Sequence, residues 1–374
     1  MSDFNQGISI IVPTYKGEKY ILKLLDSLKN QTLDKNLFDA LFIINGERDN
    51  SESIIKRFKS ENTDLNIEIM ESQKGVSNAR NLALDTIDRE YCIFIDVDDY
   101  ISYNYLEELY KHRKSNRIVL GNFFNVDLEG NLSKTYFSDT LLENNGLFHL
   151  YDFDVNPLLI TTNKLVPTIY ANKVRFNPNL YNGVDLDYFF KLYSKFDFEF
   201  YIVDNEREAI YYRVLVPGSI SRQDMSFQFN VVDRLKVMKS LDNTYRKSKD
   251  KEKIFKLLDF IVNVGQKNFI VRYIEKHPED YFKALYEIES YHIENFDYLR
   301  FFKCLDSLDV NTQDNIKDIN NYIYNLYKKE NTFKKENQNL KKELDFKNKL
   351  LKTRPYRLAA SLRKIAMKLR GKHS

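Results

Sequence analysis

Tyr91-Cys92-Ile93-Phe94-Ile95-Asp96-Val97-Asp98-Asp99 runs from an apolar stretch directly into three carboxylates. A short apolar run bounded by polar residues reads as a buried strand of a parallel sheet. Open α/β sheets bind their ligands just past the carboxyl ends of the strands, where this acidic cluster falls. In an extended segment Asp96 and Asp98 point the same way. Two carboxylates held together repel unless a proton or a cation lies between them. All-oxygen ligation favours Mg²⁺ or Mn²⁺ over softer metals. The competing interpretation is a solvated acidic loop, or a helix N-cap before Ser102 to Tyr110.

The 374 residues have room for one large domain and a smaller one. Two cysteines, Cys92 and Cys304, supply neither a disulfide framework nor a metal knuckle and read as free thiols in a reducing compartment. The polar segment Met1 to Gly7 has no signal-peptide character, and no apolar run approaches the roughly 20 residues of a membrane span. These features point to a cytoplasmic protein. The net charge of +3 is unevenly spread. Lys347 to Ser374 holds ten Lys or Arg and no acid, which leaves the rest of the chain 47 basic against 54 acidic residues, a net of −7. A mildly acidic body argues against nucleic-acid binding, and the basic tail argues for contact with something anionic.

Around the opening stretch the chain alternates strand and helix. Ile8 to Val12, Ala40 to Ile44 and Leu65 to Met70 read as strands before Tyr91 to Ile95. Tyr20 to Leu28, Ile54 to Phe58 and Asn78 to Leu84 read as helices between them. This order predicts a parallel sheet with crossover helices. After about Asn116 the pattern changes: Ile118 to Val126, the turn Leu128-Glu129-Gly130-Asn131 and Ser133 to Phe137 read as a hairpin continuing the sheet in mixed fashion.

Four segments in this order carry a resemblance: ISIIVPTYKGEKYILKLLDSLKNQT from Ile8, KGVSNARNLAL from Lys74, IFIDVDDYIS from Ile93 and YNGVDLDYFF from Tyr181. From Ile8 to Arg222 the chain resembles the inverting glycosyltransferases of family 2, with the GT-A fold. It is most similar to bacterial enzymes that decorate teichoic acids or build capsule and other surface polysaccharides. The resemblance implies a mixed Rossmann-like sheet with flanking helices and a nucleoside-diphosphate sugar, UDP-linked, as donor. Leaving-diphosphate charge is best stabilised by a bridging metal. By the family pattern Asp98 ligates that metal, with Asp96 near the ribose or a metal-bound water and a second candidate ligand. Asp99 supports the loop or contacts the donor sugar, and Val97 lies between the acids in the nucleotide site.

Pro13, Thr14 and Tyr15 match the first strand end, where backbone and an aromatic ring meet the base. An ordinary strand-to-helix turn has the same composition. The family's paired Asp residues at the second strand end are here Ile44-Asn45. Asn45 still accepts from an imide N–H and donates to a carbonyl, although the departure weakens the identification of uracil. Gly75, Asn78 and Arg80 fall in the segment after the third strand. Gly75 lets backbone approach the ligand, and the Arg80 fork reaches a base carbonyl or a phosphate. The alternative is a glycine turn opening a helix with an exposed arginine.

An inverting transfer needs a carboxylate that deprotonates the acceptor hydroxyl opposite the diphosphate. The family places it in a Glu-Asp pair at a helix start, which here is Val184-Asp185. Asp185 is the candidate base and Asp187 the fallback. Acids that complement a helix dipole are the competing interpretation. Arg213, Ser219 and Arg222 resemble the strand and mobile loop that close the donor site. The histidine ligand of some relatives has no counterpart among His112, His149, His277, His292 and His373.

The expected domains are 1–225 catalytic, 226–312 helical accessory, 313–352 coiled-coil helix and 353–374 basic amphipathic tail. A heptad places Ile316, Ile323, Glu330, Asn337, Leu344 and Leu351 at a, with Ile319, Leu326, Phe333, Leu340 and Lys347 at d. That seam, 316–351, predicts self-association into a homo-oligomer, against a single solvated helix. Leu358, Leu362, Ile365 and Leu369 form one stripe amid Arg357, Arg363, Lys364, Lys368 and Arg370. This suits peripheral attachment to the inner face of the cell membrane, or a disordered tail on an anionic polymer. The expected acceptor is an anionic or lipid-linked polysaccharide. Two other functions fit less well: a sugar-phosphate nucleotidyltransferase, for which Lys16-Gly17 is a poor phosphate loop, and a non-catalytic scaffold that binds nucleotide sugar.

Overall fold

Two largely apolar, buried strands set the architecture. β1 (Asn5–Thr14) is buried from Gly7 onward, and β2 (Phe38–Asn45) is buried throughout. Strands so apolar on both faces must be covered on both faces, and α1 (Ile21–Lys29), α2 (Ser51–Glu61) and α3 (Val76–Thr86) supply crossover cover. The computed structural model describes residues 4–152, 154–204, 209–216 and 224–306. It divides into two units at Gln223/Asp224.

In the first unit β3 (Ile67–Ser72) pairs parallel to β2, and β4 (Arg89–Phe94) pairs parallel to β1 on its other side. Ile11 is opposite Phe94, and Thr14 is opposite Ile44. The carboxyl ends of β1, β2 and β4 therefore face the same edge of the sheet, with β4 ending opposite Ile11, short of the end of β1. β5 (Tyr100–Ile101) and α4 (Tyr105–Lys111) follow the acidic turn.

The hairpin expected over Ile118 to Phe137 forms, but only from Asn122 and in a second sheet. β6 (Arg117–Leu120) belongs to the large sheet, whereas β7 (Asn122–Val126) belongs to a second sheet and pairs antiparallel with β8 (Leu132–Lys134). The switch falls at Gly121, where an added Cβ would lie 2.6 Å from the Ala209 carbonyl oxygen. Only glycine permits that approach. The strand expected at Ser133 to Phe137 stops early because Thr135 caps α5 (Tyr136–Glu143). Its hydroxyl accepts from the amides of Phe137 and Ser138, and Ser138 Oγ accepts from the Thr135 amide.

The chain continues through β9 (Gly146–Phe148), α6 (Asn156–Leu159), β10 (Lys164–Pro167), α7 (Thr168–Ala171), α8 (Val184–Lys195), β11 (Glu199–Ile202) and β12 (Ile210–Val214). The large sheet has the order β3-β2-β1-β4-β10-β6-β11-β9, and the small one β5-β12-β7-β8. β10 is antiparallel to both β4 and β6, so the large sheet is mixed.

The second unit is helical where described: α9 (Asp233–Lys247), α10 (Lys251–Asp259), α11 (Lys267–Lys276), α12 (Tyr281–Ser290) and α13 (Tyr298–Asp306). A π-helical stretch, Phe260–Gln266, joins α10 to α11, so the helical spacing of Phe255 to Val264 passes through a widened turn. The heptads of 316–351 and the tail 353–374 lie outside the described residues.

Beneath the end of β4, Phe94 is fully buried, with its ring edge-on to Phe176 at 5.5 Å and to Tyr188 at 6.3 Å. Phe94→Ala should cost about 3–5 kcal/mol of unfolding free energy. Urea denaturation read by circular dichroism would measure it, with an unchanged m-value expected.

Candidate active site

α3 presents Ser77, Arg80 and Asn81 at i, i+3 and i+4, a spacing that lines up three side chains on one helix face. All three reach residues about a hundred positions downstream. Ser77 Oγ donates to the Asn177 carbonyl at 3.2 Å. Asn81 donates to the Phe176 carbonyl and accepts from the Phe176 amide, each at 2.9 Å. Arg80 Nη1 donates to Asp185 Oδ1 at 2.8 Å, and Nη2 to Asp96 Oδ1 at 3.2 Å. One helix therefore ties the acidic end of β4 to the start of α8.

The Arg80 side chain is only 4% exposed, and its guanidinium lies 5.2 Å from the Phe176 ring centre. Phe176 stacks on Tyr188 at 3.9 Å. An aromatic floor suits a weakly hydrated guanidinium. Burial alone would lower its pKa, but Asp185 and Asp96 outweigh burial and raise it. Arg80 Nη1 and Nη2 each donate to a carboxylate, and Nε is buried without a hydrogen-bond partner. Desolvation raises the pKa of Asp96, opposed by Arg80 and Arg213 and reinforced by Asp185, while its side chain keeps 44% of its exposure.

Asp185 follows Gly183, a left-handed residue at the start of α8. Its Oδ2 accepts the Thr161 amide at 3.1 Å, and its side chain keeps 33% of its exposure. Each carboxylate oxygen has two lone-pair directions, so both oxygens retain accepting capacity beyond these bonds. Asp187 is fully buried and ion-paired with Lys191. This removes it as the fallback base, because its helix position turns it into the core.

The other acids divide in the same way. Asp98 is partly exposed at the turn. Asp99 is 3% exposed, with Oδ2 accepting the Tyr211 hydroxyl at 2.7 Å and Oδ1 the Val214 amide at 2.8 Å. The same hydroxyl accepts the Asp96 amide at 3.2 Å. Asp99 and Tyr211 thus lock the turn to β12. Val97 packs against the loop after β1: a Cβ on Gly17 would come 2.6 Å from Val97 Cγ2.

Pro13 and Thr14 are buried at the end of β1, with the Thr14 hydroxyl turned back to the Val12 carbonyl. Tyr15 is 41% exposed and presents its ring. Asn45 is 5% exposed, donates to the Thr14 carbonyl at 3.2 Å and accepts from the Gly75 amide at 3.3 Å, so it straps three loops together. Gly75 has φ 119, and an added Cβ would meet only Asn78 Nδ2, at 3.6 Å; its role is conformational. Asn78 donates to the Lys74 carbonyl. Arg213 Nε donates to Asn125 at 2.8 Å. Ser219 and Arg222 lie outside the described residues.

Among the described residues no group of three or more His, Cys, Asp or Glu could hold a metal by itself. Asp96 and Asp98 fit a different arrangement. Mg²⁺-like ions are commonly bound by one or two carboxylates together with substrate phosphates, and Asp99 is already committed to Tyr211 and Val214.

Sequence reasoning passed over Tyr211 as a site residue, and missed Ser77 and Thr161. The spacing of Ser77, Arg80 and Asn81 was the available signal for the first of these faces, whereas Thr161 acts through its backbone and leaves no trace in side-chain chemistry.

Burial, with Asp98 and Asp96 adding to it, raises the Asp99 carboxyl well above its ordinary value of 3.8. A carboxyl raised on folding stabilises the protein below its unfolded pKa and loses that contribution as pH rises through the folded one. Stability should therefore fall as pH climbs from about 4 toward neutrality. Asp99→Asn should flatten that slope in chemical denaturation at pH 4.5 and 7.5, measured in EDTA.

Residues 9–165 match the model of Glycosyl transferase family 2. Glycosyltransferase GlyG of Streptococcus pneumoniae serotype 4 is 27% identical over 184 residues, covering 46% of this chain and 60% of that protein. The poly(ribitol-phosphate) beta-N-acetylglucosaminyltransferase TarS of Staphylococcus aureus is 34% identical over 103 residues, covering 27% of this chain and 18% of that protein. The chain thus spans less than two thirds of these relatives. The crystal structure of S. aureus TarS 1–349 in complex with UDP superposes with a TM-score of 0.59 at 19% identity, over 85% of this chain and 86% of that one. At that identity the likeness is one of fold, and the fold is the mixed α/β GT-A type expected from the motifs, followed by a helical region. Residues 9–165, which carry Arg80, Asp96 and Asp98, are the part of the chain that matches glycosyl transferase family 2.

Proposed function

We propose that the first unit transfers a sugar, with inversion, from a UDP-sugar to a hydroxyl of an anionic cell-surface polymer precursor of the teichoic acid or capsular class. The observation that carries this reading is the Arg80 fork, which holds Asp185 and Asp96 at either end of one guanidinium. A displacement at a sugar carbon needs a base on one side and stabilisation of leaving charge on the other, and the fork couples those two places.

Asp185 takes the acceptor proton: Arg80 and the Thr161 amide fix its two oxygens, and its remaining exposure lets a hydroxyl approach. Asp98, with Asp96 beside it, would hold a divalent ion that neutralises charge on the departing diphosphate. Tyr15 offers an exposed ring for a base. Arg213, close enough to act on Asp96, adds positive charge on the same side. The UDP in the solved TarS complex and the polymer named for the relatives TarS and TarP support the choice of donor and acceptor class. On composition alone, the basic tail suits a membrane-proximal or anionic polymer, and the heptads suit a homo-oligomer. Among the described residues no helix is long and apolar enough to cross a membrane.

Asp185→Asn should lower turnover by roughly 10²- to 10⁴-fold while leaving donor affinity unchanged. Release of UDP from UDP-GlcNAc or UDP-glucose with Mn²⁺ and poly(ribitol phosphate) measures the first, and calorimetric titration the second. Near-normal turnover would remove Asp185 from the role of base. Asp98→Ala should abolish the Mn²⁺-dependent part of donor binding in the same titration. Pyrophosphate release from UTP and a sugar phosphate would favour nucleotidyl transfer instead.

A further inference from the structure

Lys164 opens β10, the antiparallel strand between β4 and β6, and is fully buried. Its ammonium donates to the Pro157 carbonyl at 3.0 Å and to the Ile160 carbonyl. It also lies 4.3 Å from the centre of the Phe189 ring on α8. A buried ammonium is costly unless it is well bonded, and burial pushes this one down to about 7, with Asp185 the carboxylate that opposes the shift. The residue after Ile160 is Thr161, whose amide donates to Asp185 Oδ2.

We propose that Lys164 is a positioning residue for Asp185: by clamping the carbonyls of Pro157 and Ile160 it fixes the turn that presents the Thr161 amide to the carboxylate. The neighbouring contacts fit this role. Tyr193 on α8 donates its hydroxyl to the Leu158 carbonyl at 2.7 Å, so the 157–161 segment is held from α8 as well as from β10. The segment carries little regular structure of its own, α6 ending at Leu159. Without the ammonium, the Pro157 and Ile160 carbonyls lose that donor and the turn loses this tie to β10. Asp185 would then keep Arg80 on Oδ1 and lose the fixed direction of Oδ2. A general base depends on that direction, since small misplacements of reacting groups are expensive.

The catalytic half of this inference rests on the proposed glycosyl transfer; the structural half does not. The test compares wild type with Lys164→Met in the full chain, which keeps the apolar stem and removes the donor. Two measurements are made: hydrogen exchange of peptides covering 157–163, and UDP release from UDP-GlcNAc with Mn²⁺. Expected are exchange faster by about tenfold or more in that segment, and a kcat lower by about tenfold or more with the donor KM unchanged. Unchanged exchange overturns the clamp. Faster exchange with unaltered kcat overturns its link to Asp185, and a rise in KM equal to the fall in kcat marks general damage and overturns it too. If wild type itself releases no UDP, the transfer reading fails, while the exchange comparison still decides the clamp. Should Lys164→Met not fold, Lys164→Gln, which retains an N–H donor on a shorter stem, is read by the same criteria, with a smaller change expected in both.

Discussion

A single buried cation organises the site. Arg80 sits at 4% exposure with one nitrogen on Asp185 and another on Asp96, and its charge would be unstable there without them, whereas the two carboxylates keep 33% and 44% of their exposure. A buried guanidinium left without its carboxylates is an uncompensated charge in a poorly solvated place. The aromatic floor of Phe176 and Tyr188 helps make the burial tolerable. The carboxylates in turn are held in fixed directions by donors: Asp185 by the Thr161 amide, and the turn after β4 by Tyr211.

This arrangement gives α3 a second task. As a crossover helix it covers β1 and β2, which any amphipathic helix could do. Through Ser77, Arg80 and Asn81 it also binds the segment leading to α8. Asp96 and Asp185 are thus referenced to one rigid element, although nearly ninety residues separate them in the chain. Sites built on helices and strands hold geometry better than sites built on loops, and here even the looped segments are strapped at several points.

Among the acids near β4 and α8, chemistry and support have separated. Asp98 and Asp185 remain accessible, whereas Asp99 and Asp187 are consumed by Tyr211 with Val214 and by Lys191. Residue type alone does not distinguish the two groups. Asn45 shows the same division: an amide at the end of β2 has the donors and acceptors to read a base, yet its bonds to Thr14 and Gly75 close the loops over the sheet.

The sequence by itself determined the parallel core. Apolar runs at Ile8, Ala40 and Tyr91 demand cover on both faces, and the carboxylates after the last of them mark a strand end, where polar groups can surface. The motif order also carried the family. Periodicity could not reveal that Ile118 to Val126 breaks between two sheets, since the break depends on how closely Ala209 passes Gly121. Nor could it assign Arg80 to two carboxylates, Asn45 to a strap or Lys164 to the core. Those roles are set by partners far away in the chain and by the loss of water around them. Such interactions exist only once the tertiary structure has closed, so they leave no local pattern to read.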